Sequence, residues 1–143
     1  MEPYIHKVQY YETDKMGIVH HSNYIRWMEE ARIDFLERIG WAYDRLEAEG
    51  VLSPVIGVDC KYKVNTVFPD RIEIYAAISE YTGVKFTICY VMKKDGKVVA
   101  EGHSEHCLLD QSGKILRIKK QYPALHELFT KLAEETVKST KQP

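Results

Sequence analysis

Apolar side chains recur along this chain with two different periods, and the change from one to the other divides the sequence. From Ser22 to Gly40 they return every three or four positions, the period of an amphipathic helix: Tyr24, Trp27, Met28, Ala31, Phe35 and Ile39. Ser22 or Asn23 is placed to cap the start of this helix, and Gly40 is placed to end it. Three further apolar residues widen the stripe, namely Ile25, Ile33 and Leu36. We therefore expect a central helix of about five turns, covered over much of its circumference.

After Gly50 the period changes to strict alternation, which is typical of β-strands. Four alternating runs follow one another: Ile56 to Val64, Ile72 to Ile78, Val84 to Met92, and Val98 to Leu109. Turn-forming residues separate them, and Asp95-Gly96 in particular predicts a tight antiparallel hairpin between the last two runs. The second half of the chain is therefore expected to be an antiparallel meander.

The remaining segments complete the predicted order of elements. Tyr4 to Tyr11 favours a strand, Glu12 to His21 a loop, and Trp41 to Glu49 a short helix. A final amphipathic helix begins near Pro123 and is expected to fray beyond Lys138. This order predicts one α+β domain over residues 1–143, in which a curved antiparallel sheet wraps a long helix.

Composition excludes several classes of partner. The chain has 143 residues and a formal net charge of -1, from 20 basic and 21 acidic side chains, without a basic patch, so nucleic acid is not an expected ligand. Neither a secretory signal nor a membrane-spanning apolar run is apparent, which predicts a cytoplasmic protein. Cys60, Cys89 and Cys107 lie in apolar runs without a C-x-x-C pair, and we interpret them as buried thiols.

The segment from Tyr10 to Tyr24 has a composition that packing does not explain, and it leads into the start of a helix. The first backbone N–H groups of a helix are unpaired and form a ready site for a developing negative charge. Gly17 allows close approach of the backbone, and Asp14 places a carboxylate opposite. Ester or thioester hydrolysis requires this combination of a base or nucleophile with fixed oxyanion donors. No G-x-S-x-G motif offers an alternative nucleophile.

Each of these residues also has a purely structural interpretation. Taken alone, Asp14 is better explained as an Asx-turn or loop cap. His20 and His21 are more typical of an exposed loop than of a metal pair, although His21 is placed to bind substrate or Asp14. His103 and His106 fall on opposite faces of one strand, so neither metal nor cofactor is expected.

Polar residues inside the predicted helix have two interpretations. Glu30 and Arg32 are either a satisfied polar pair or a contact between subunits, and the pair is favoured. Tyr24, Trp27 and Met28 lie at helical spacing and are better explained as core than as a cofactor site.

The loop and helix together carry a family resemblance. The pattern Tyr11-x-x-Asp14-x-x-Gly17-x-Val19-x-His21-x-x-Tyr24, followed by Glu30-Ala31-Arg32, resembles the signature of the 4-hydroxybenzoyl-CoA thioesterase family of hotdog-fold proteins. The likeness continues through Pro69-Asp70-Arg71 and Ala100-Glu101-Gly102.

The resemblance implies a fold, an assembly and a site. It implies a hotdog fold with a five- or six-stranded sheet, and a homodimer or homotetramer with the active site at the dimer interface. Asp14 then matches the catalytic nucleophile or general base, and the backbone N–H near His21 polarises the thioester carbonyl. Substrate-binding residues are expected at Gly17, Val19, His20, His21 and Tyr24.

One departure from the family concerns the CoA phosphates. Thr82-Gly83-Val84-Lys85 stands where several relatives carry a run rich in arginine or lysine. The resemblance therefore leaves Lys61, Lys63 and Lys85 as candidate phosphate ligands, or acyl carrier protein as the carrier in place of free CoA.

Two other functions are open at this point. A hotdog hydratase or dehydratase holds a thioester in a similar way, but its loop resembles Asp-x-Asn-Pro-x-His, and the Asn-Pro is absent after Asp14. A non-catalytic module that binds acyl thioesters, with Asp14 as a loop cap, is the other.

Overall fold

Residues 2–141 are described by a computed structural model, which contains five strands and four α-helices in this part of the chain. The strands are β1 (Tyr4–Lys7), β2 (Val55–Tyr62), β3 (Arg71–Tyr81), β4 (Lys85–Lys94) and β5 (Lys97–Cys107). The helices are α1 (Ser22–Arg38), α2 (Tyr43–Ala48), α3 (Ile118–Gln121) and α4 (Pro123–Lys141), and a 3₁₀ turn spans Tyr10–Glu12. The α+β class predicted from the sequence is confirmed.

The strands form one antiparallel sheet in the order β1-β3-β4-β5-β2. The hairpin between β4 and β5 turns at Asp95 and Gly96, which have φ values of 50° and 80°, as the Asp-Gly signal predicts. The chain returns β2 to the far side of β5, so that β2 becomes an edge strand.

The core fills the space between α1 and one face of the sheet. Every second residue of β4 is buried, because alternate side chains point to the same face. They pack with the inner face of α1 in a single cluster that includes Trp27, Met28, Ala31, Phe35, Leu36, Ile72, Ile74, Ile78, Phe86, Ile88, Tyr90 and Met92. Each large side chain buried in this way stabilises the fold by roughly 1.5–3 kcal/mol.

The start of the chain differs from its predicted form. The strand ends at Lys7 instead of Tyr11, because the backbone turns at Tyr10–Glu12, where the Gln9 N–H donates to the Glu12 carboxylate at 2.7 Å. Neither Ser22 nor Asn23 caps α1, since the N-cap position is His21. The Asn23 amide instead donates to the carbonyl oxygens of Glu12 and His20.

Other bounds and exposures also needed correction. Helix α4 continues to Lys141 instead of fraying beyond Lys138, whereas the five strands of the sheet within residues 2–141 agree with the predicted five or six. The outer face of α1 is exposed at Arg26, Glu29, Ile33 and Glu37, because the sheet covers only one side of the helix. Of the three thiols, Cys107 alone is buried, and the other two are half-buried. No helix within residues 2–141 has the length and apolar character needed to cross a bilayer.

A chain of polar side chains lies within the apolar core. Buried Arg32 donates to the hydroxyls of Tyr43 at 3.0 Å and Tyr90 at 3.3 Å. From Tyr90 the chain continues through Ser104 to His106, each step 2.7 Å long. The predicted Glu30–Arg32 pair is absent, because residues two positions apart on a helix point in different directions.

The buried imidazole of His106 makes the fold sensitive to acid. Burial, with a smaller effect from the positive charge of Arg32, lowers the pKa of His106 to about 4 from its ordinary value of 6.5. Between these values the unfolded chain binds a proton that the folded chain does not, so the free energy of unfolding falls as the pH falls from 6.5 towards 4. At pH 4.5 the loss attributable to this group is about 2 kcal/mol. We expect His106→Gln to remove that part of the pH dependence, as measured by urea unfolding at pH 7 and pH 4.5. If the free energy of unfolding falls equally between these two pH values in both proteins, the assignment is wrong.

Close packing of β2 on β5 depends on Gly102. A Cβ at this position would stand 2.5 Å from the backbone oxygen of Asp59 and 3.2 Å from the Met28 side chain. Gly102→Ala is therefore expected to lower the free energy of unfolding by about 1–3 kcal/mol. Gly57→Ala is the matched control, since its Cβ would meet only the movable Glu105 side chain at 3.0 Å. Chemical denaturation of both variants measures the difference, and equal losses would overturn the assignment.

Candidate active site

The loop before α1 is a tight hairpin with Asp14 and Gly17 at its tip. The Asp14 N–H donates to the Ile18 carbonyl at 2.8 Å, and the Gly17 N–H donates to the Asp14 carbonyl at 2.9 Å. Gly17 has a φ of 78°, a conformation that side-chain-bearing residues rarely adopt. Thr13 and Val19 form a bridge at the base of the hairpin. The sequence Asp-x-x-Gly therefore forms a compact turn whose tip faces outward.

The Asp14 carboxylate has one oxygen held and one free. The Met16 N–H donates to Oδ1 at 2.8 Å, so the Asx-turn considered from the sequence is present. No hydrogen bond to Oδ2 is formed within residues 2–141, and the side chain is half-exposed. The turn fixes the orientation of the carboxylate while leaving an oxygen available for chemistry.

The same turn occurs a second time in this chain. In the segment 110–114, Asp110 accepts from the Ser112 N–H through Oδ1 at 2.8 Å, and its carbonyl accepts from the Gly113 N–H at 3.0 Å. The Asp110 N–H donates to the Lys114 carbonyl at 2.9 Å, and Gly113 has a φ of 85°. The turn alone therefore does not identify a catalytic aspartate. What distinguishes Asp14 is the length of the helix that follows its loop, since α1 has 17 residues and α3, which follows Asp110, has four.

That helix start presents backbone N–H groups beside the loop. The Asn23 and Tyr24 N–H groups donate to the carbonyls of His20 and His21, at 3.0 and 3.2 Å. The His21 N–H has no acceptor within residues 2–141, and the Ser22 N–H has only the His20 ring at 3.3 Å. These two donors lie at the positive end of the α1 dipole. They could stabilise an oxyanion, as expected for the backbone near His21.

The two neighbouring histidines are exposed and interact with each other. Their rings stack with centroids 4.3 Å apart, and His20 Nδ1 lies 2.8 Å from the Ser22 hydroxyl. The ring of His21 stands edge-on to Tyr62 at 6.0 Å. Whether either histidine touches substrate stays a prediction. Within residues 2–141 no group of three or more histidine, cysteine, aspartate or glutamate side chains is arranged to hold a metal ion.

The predicted substrate residues Val19 and Tyr24 are both buried in the single chain. The Val19 N–H donates to the Thr66 carbonyl at 2.9 Å, and the Tyr24 hydroxyl lies 2.7 Å from Thr66 Oγ1. The ring of Tyr24 also packs edge-on against Tyr62 at 5.1 Å. Both residues connect the loop and the start of α1 to Thr66. Direct contact of either residue with substrate stays a prediction. Thr66 was missed from the sequence, because a single buried threonine carries no motif.

Glu12 was also missed as a functional candidate. It is 5% exposed, and its carboxylate accepts from the Trp27 indole at 2.7 Å and lies 2.9 Å from His6 Nε2. The sequence placed Glu12 at the start of a loop, where a glutamate is normally solvated. Only the fold shows that its side chain points inward.

The three candidate phosphate ligands do not lie together in one chain. Lys61 and Lys63 stand near Tyr62, but Lys63 is paired with Glu101 at 2.8 Å. In the sheet, the backbone of Lys85 lies opposite Cys107 of β5, whereas the backbone of Lys61 lies opposite Glu101 of β5. Six residues of strand separate these positions by about 20 Å. A nucleotide beside Lys61 would therefore not reach Lys85 of the same chain.

The surface around the loop is unusually apolar. Tyr10 and Tyr11 are 77% and 82% exposed, and Met16 at the hairpin tip is 76% exposed. The edge strand β2 adds Val55, Ile56, Val58 and Tyr62, each between 45% and 49% exposed. Contiguous apolar exposure of this kind marks an interaction surface. The candidate site is therefore open in a single chain.

Comparison with known proteins relates this geometry to a family. A family model described as the thioesterase-like superfamily matches residues 8–135. YneP of Bacillus subtilis, which its name assigns to the acyl-CoA thioesterases, is 33% identical over 127 residues, or 87% of this chain and 92% of its own. The acyl-CoA thioester hydrolase YbgC of Escherichia coli O157:H7 is 30% identical over 77 residues, or 54% of this chain and 58% of its own.

Solved structures agree with this family and with the fold. A DHNA-CoA thioesterase from Staphylococcus aureus superimposes with a TM-score of 0.90 at 26% identity, over 99% of this chain and 96% of that one. The hotdog fold expected from the sequence is thereby confirmed. Since the family match covers most of its length, the chain belongs to the thioesterase-like superfamily.

Proposed function

We propose that this enzyme, a thioester hydrolase by its family, hydrolyses acyl-CoA thioesters with Asp14 as the catalytic group. The observation that carries the proposal is the free Oδ2 of Asp14, on a hairpin that leads to the His21 N–H at the start of α1, a donor with no acceptor within residues 2–141. Family membership supports the reaction, and the residue roles rest on this geometry.

The proposed chemistry uses both parts of the site. The backbone N–H groups at His21 and Ser22 polarise the thioester carbonyl and stabilise the oxyanion. Asp14 either attacks the carbonyl carbon itself, which gives a mixed anhydride that water then hydrolyses, or removes a proton from an attacking water. In both routes the C–S bond breaks, the CoA thiolate takes up a proton, and a free acid is released.

We also propose that two chains complete each site. The edge strand β2 has an unpaired backbone edge and four half-exposed apolar side chains, features that favour pairing with a second sheet. Pairing of β2 with its copy would bring a second surface against the exposed Tyr10, Tyr11 and Met16. A homodimer is the minimum assembly, and a homotetramer would be a dimer of such dimers.

The substrate carrier and compartment belong to the same proposal. Free CoA is the expected carrier, with Lys61 and Lys63 nearest the site and Lys85 available only from another subunit. Acyl carrier protein is the alternative carrier.

Three cysteines without a disulfide suit the cytoplasm expected for one domain of 143 residues. The hydratase alternative is not favoured, because Met16-Gly17 stands where the loop of such an enzyme carries Asn-Pro after its aspartate.

Asp14→Asn tests the catalytic role without disturbing the turn. The asparagine oxygen still accepts from the Met16 N–H, but the amide is neither a nucleophile nor a base. We expect kcat for acyl-CoA hydrolysis to fall at least about 100-fold with an unchanged thermal transition. Asp110→Asn is the matched control, because it alters the same turn elsewhere and should retain full activity. Thiol release measured over aromatic, short-chain and long-chain acyl-CoAs provides the readout.

Retained activity in Asp14→Asn would eliminate the assigned role. If instead the unaltered protein and both variants bind acyl-CoA stoichiometrically and none of them hydrolyses it, the chain is a binding module. Single-turnover hydrolysis in H₂¹⁸O then separates the two routes. If Asp14 is the nucleophile and water opens the anhydride at the aspartyl carbonyl, the first product lacks the label and Asp14 carries it, whereas a general base places the label on the product.

Val58→Lys tests the proposed assembly. A charge on the middle of β2 should prevent pairing of the two edges, so we expect light scattering to report monomers and activity to fall about tenfold or more. Ile115→Lys, at an exposed position of 57% outside the sheet, is the control and should remain assembled and active. An active monomer would show that one chain suffices.

A further inference from the structure

The carboxylate of Glu12 joins three parts of the molecule at one buried point. It accepts from the Gln9 backbone N–H at 2.7 Å and from the Trp27 indole at 2.7 Å, and it lies 2.9 Å from His6 Nε2. These donors belong to the segment after β1, to α1 and to β1 respectively. Since the side chain is only 6% exposed, solvent does not screen these interactions.

The backbone of Glu12 extends this junction to the other end of the loop. Its carbonyl accepts from the His20 N–H at 2.9 Å and from the Asn23 amide at 2.9 Å. Glu12 lies two residues before Asp14, and His20 lies immediately before the unpaired His21 N–H. One residue therefore fixes the distance between the proposed catalytic carboxylate and the proposed oxyanion donors.

His6 connects this junction to a second carboxylate. Its Nε2 faces Glu12, and its Nδ1 lies 2.8 Å from Glu30 Oε2 on α1. A neutral imidazole donates from one nitrogen only, so both contacts are satisfied only by the protonated ring. The Trp27 ring packs on His6 with centroids 4.7 Å apart, and the Tyr4 hydroxyl donates weakly to Glu30 at 3.5 Å. These are the charged and titratable groups that face the ring.

The buried carboxylate is held in its charged form. Burial alone would raise the pKa of Glu12, but the donors at Gln9, Trp27 and His6 outweigh it and bring the pKa below the ordinary value. A buried ion that loses one partner is left uncompensated, which makes the whole junction depend on each contact.

We propose that Glu12 and His6 are positioning residues for thioester hydrolysis: their buried ion pair holds Asp14 in register with the backbone donors at the start of α1. The inference rests on the proposed function, because it assigns these residues to the same reaction. Neither side chain contacts the reacting atoms.

The first test is Glu12→Gln, which keeps the size of the side chain and removes its charge. We expect kcat to fall about 100-fold while KM stays within about threefold, since the loop is misplaced by a fraction of an ångström to an ångström but substrate still binds. His6→Gln should give a similar loss, and the double variant should be no worse than either single one. Glu73→Gln, a half-buried carboxylate on β3, is the control and should leave both constants unchanged.

The second test is Glu30→Gln, which removes the other carboxylate that faces the His6 ring and leaves the contact between His6 and Glu12 in place. Because the junction at Glu12 is kept, we expect kcat and KM to stay within about threefold of the parent. A loss of kcat as large as that of Glu12→Gln would show that the effect does not come from the Glu12 junction.

The charge state of His6 can be measured directly in the unaltered protein. Long-range ¹H–¹⁵N spectra at neutral pH, assigned with His6→Gln, should show both ring nitrogens protonated. A neutral ring would overturn the proposal, as would full kcat in Glu12→Gln. If Glu12→Gln does not fold, the spectra and kcat of His6→Gln decide alone. Asp14→Asn is assayed in parallel. If Asp14→Asn is active, the proposed function fails. If Asp14→Asn is inactive and Glu12→Gln is fully active, the proposed function stands and the positioning role fails.

Discussion

The buried carboxylate of Glu12 is the constraint on which the local structure depends. A charged group at 5% exposure is stable only when its oxygens are fully paired, and here strand β1, helix α1 and the intervening backbone each supply a donor. The short strand, the 3₁₀ turn and the entry angle of α1 therefore form together. The hairpin that carries Asp14 spans the gap between the carboxylate and the helix start, and its position follows from both.

Two copies of one turn in the same chain show where function resides. Asp14 and Asp110 have the same Asx geometry and are each followed three residues later by a glycine with positive φ. The Asp110 turn joins β5 to the C-terminal helices, and the helix that follows it, α3, has only four residues. Local geometry is therefore common to a structural and a proposed catalytic aspartate. The role proposed for Asp14 depends on the long helix α1 that follows its hairpin and on membership of the family.

The sequence predicted those features that depend on local periodicity. The helix at Ser22, the alternation of β4 and the Asp95-Gly96 turn each follow from interactions between near neighbours, and each is confirmed. The family pattern added the hotdog fold and the importance of Asp14. What could not be predicted were contacts across the fold. Glu12 has the character of a surface residue in the sequence, and no local signal shows that Trp27 points its indole N–H towards it.

The sequence also misjudged the exposure of α1. A wide apolar stripe on α1 suggested a helix covered nearly all round, yet Ile33 is 39% exposed, and four apolar side chains of the edge strand β2 are half-exposed. The pattern of apolar residues in a sequence reflects the surfaces that are buried in the assembled protein, including those buried by another chain. The stripe is therefore consistent with the proposed assembly: residues left open in one chain are those expected to be covered where two sheets join. On this view the open setting of Asp14 in one chain and the excess apolar surface of α1 and β2 have one cause.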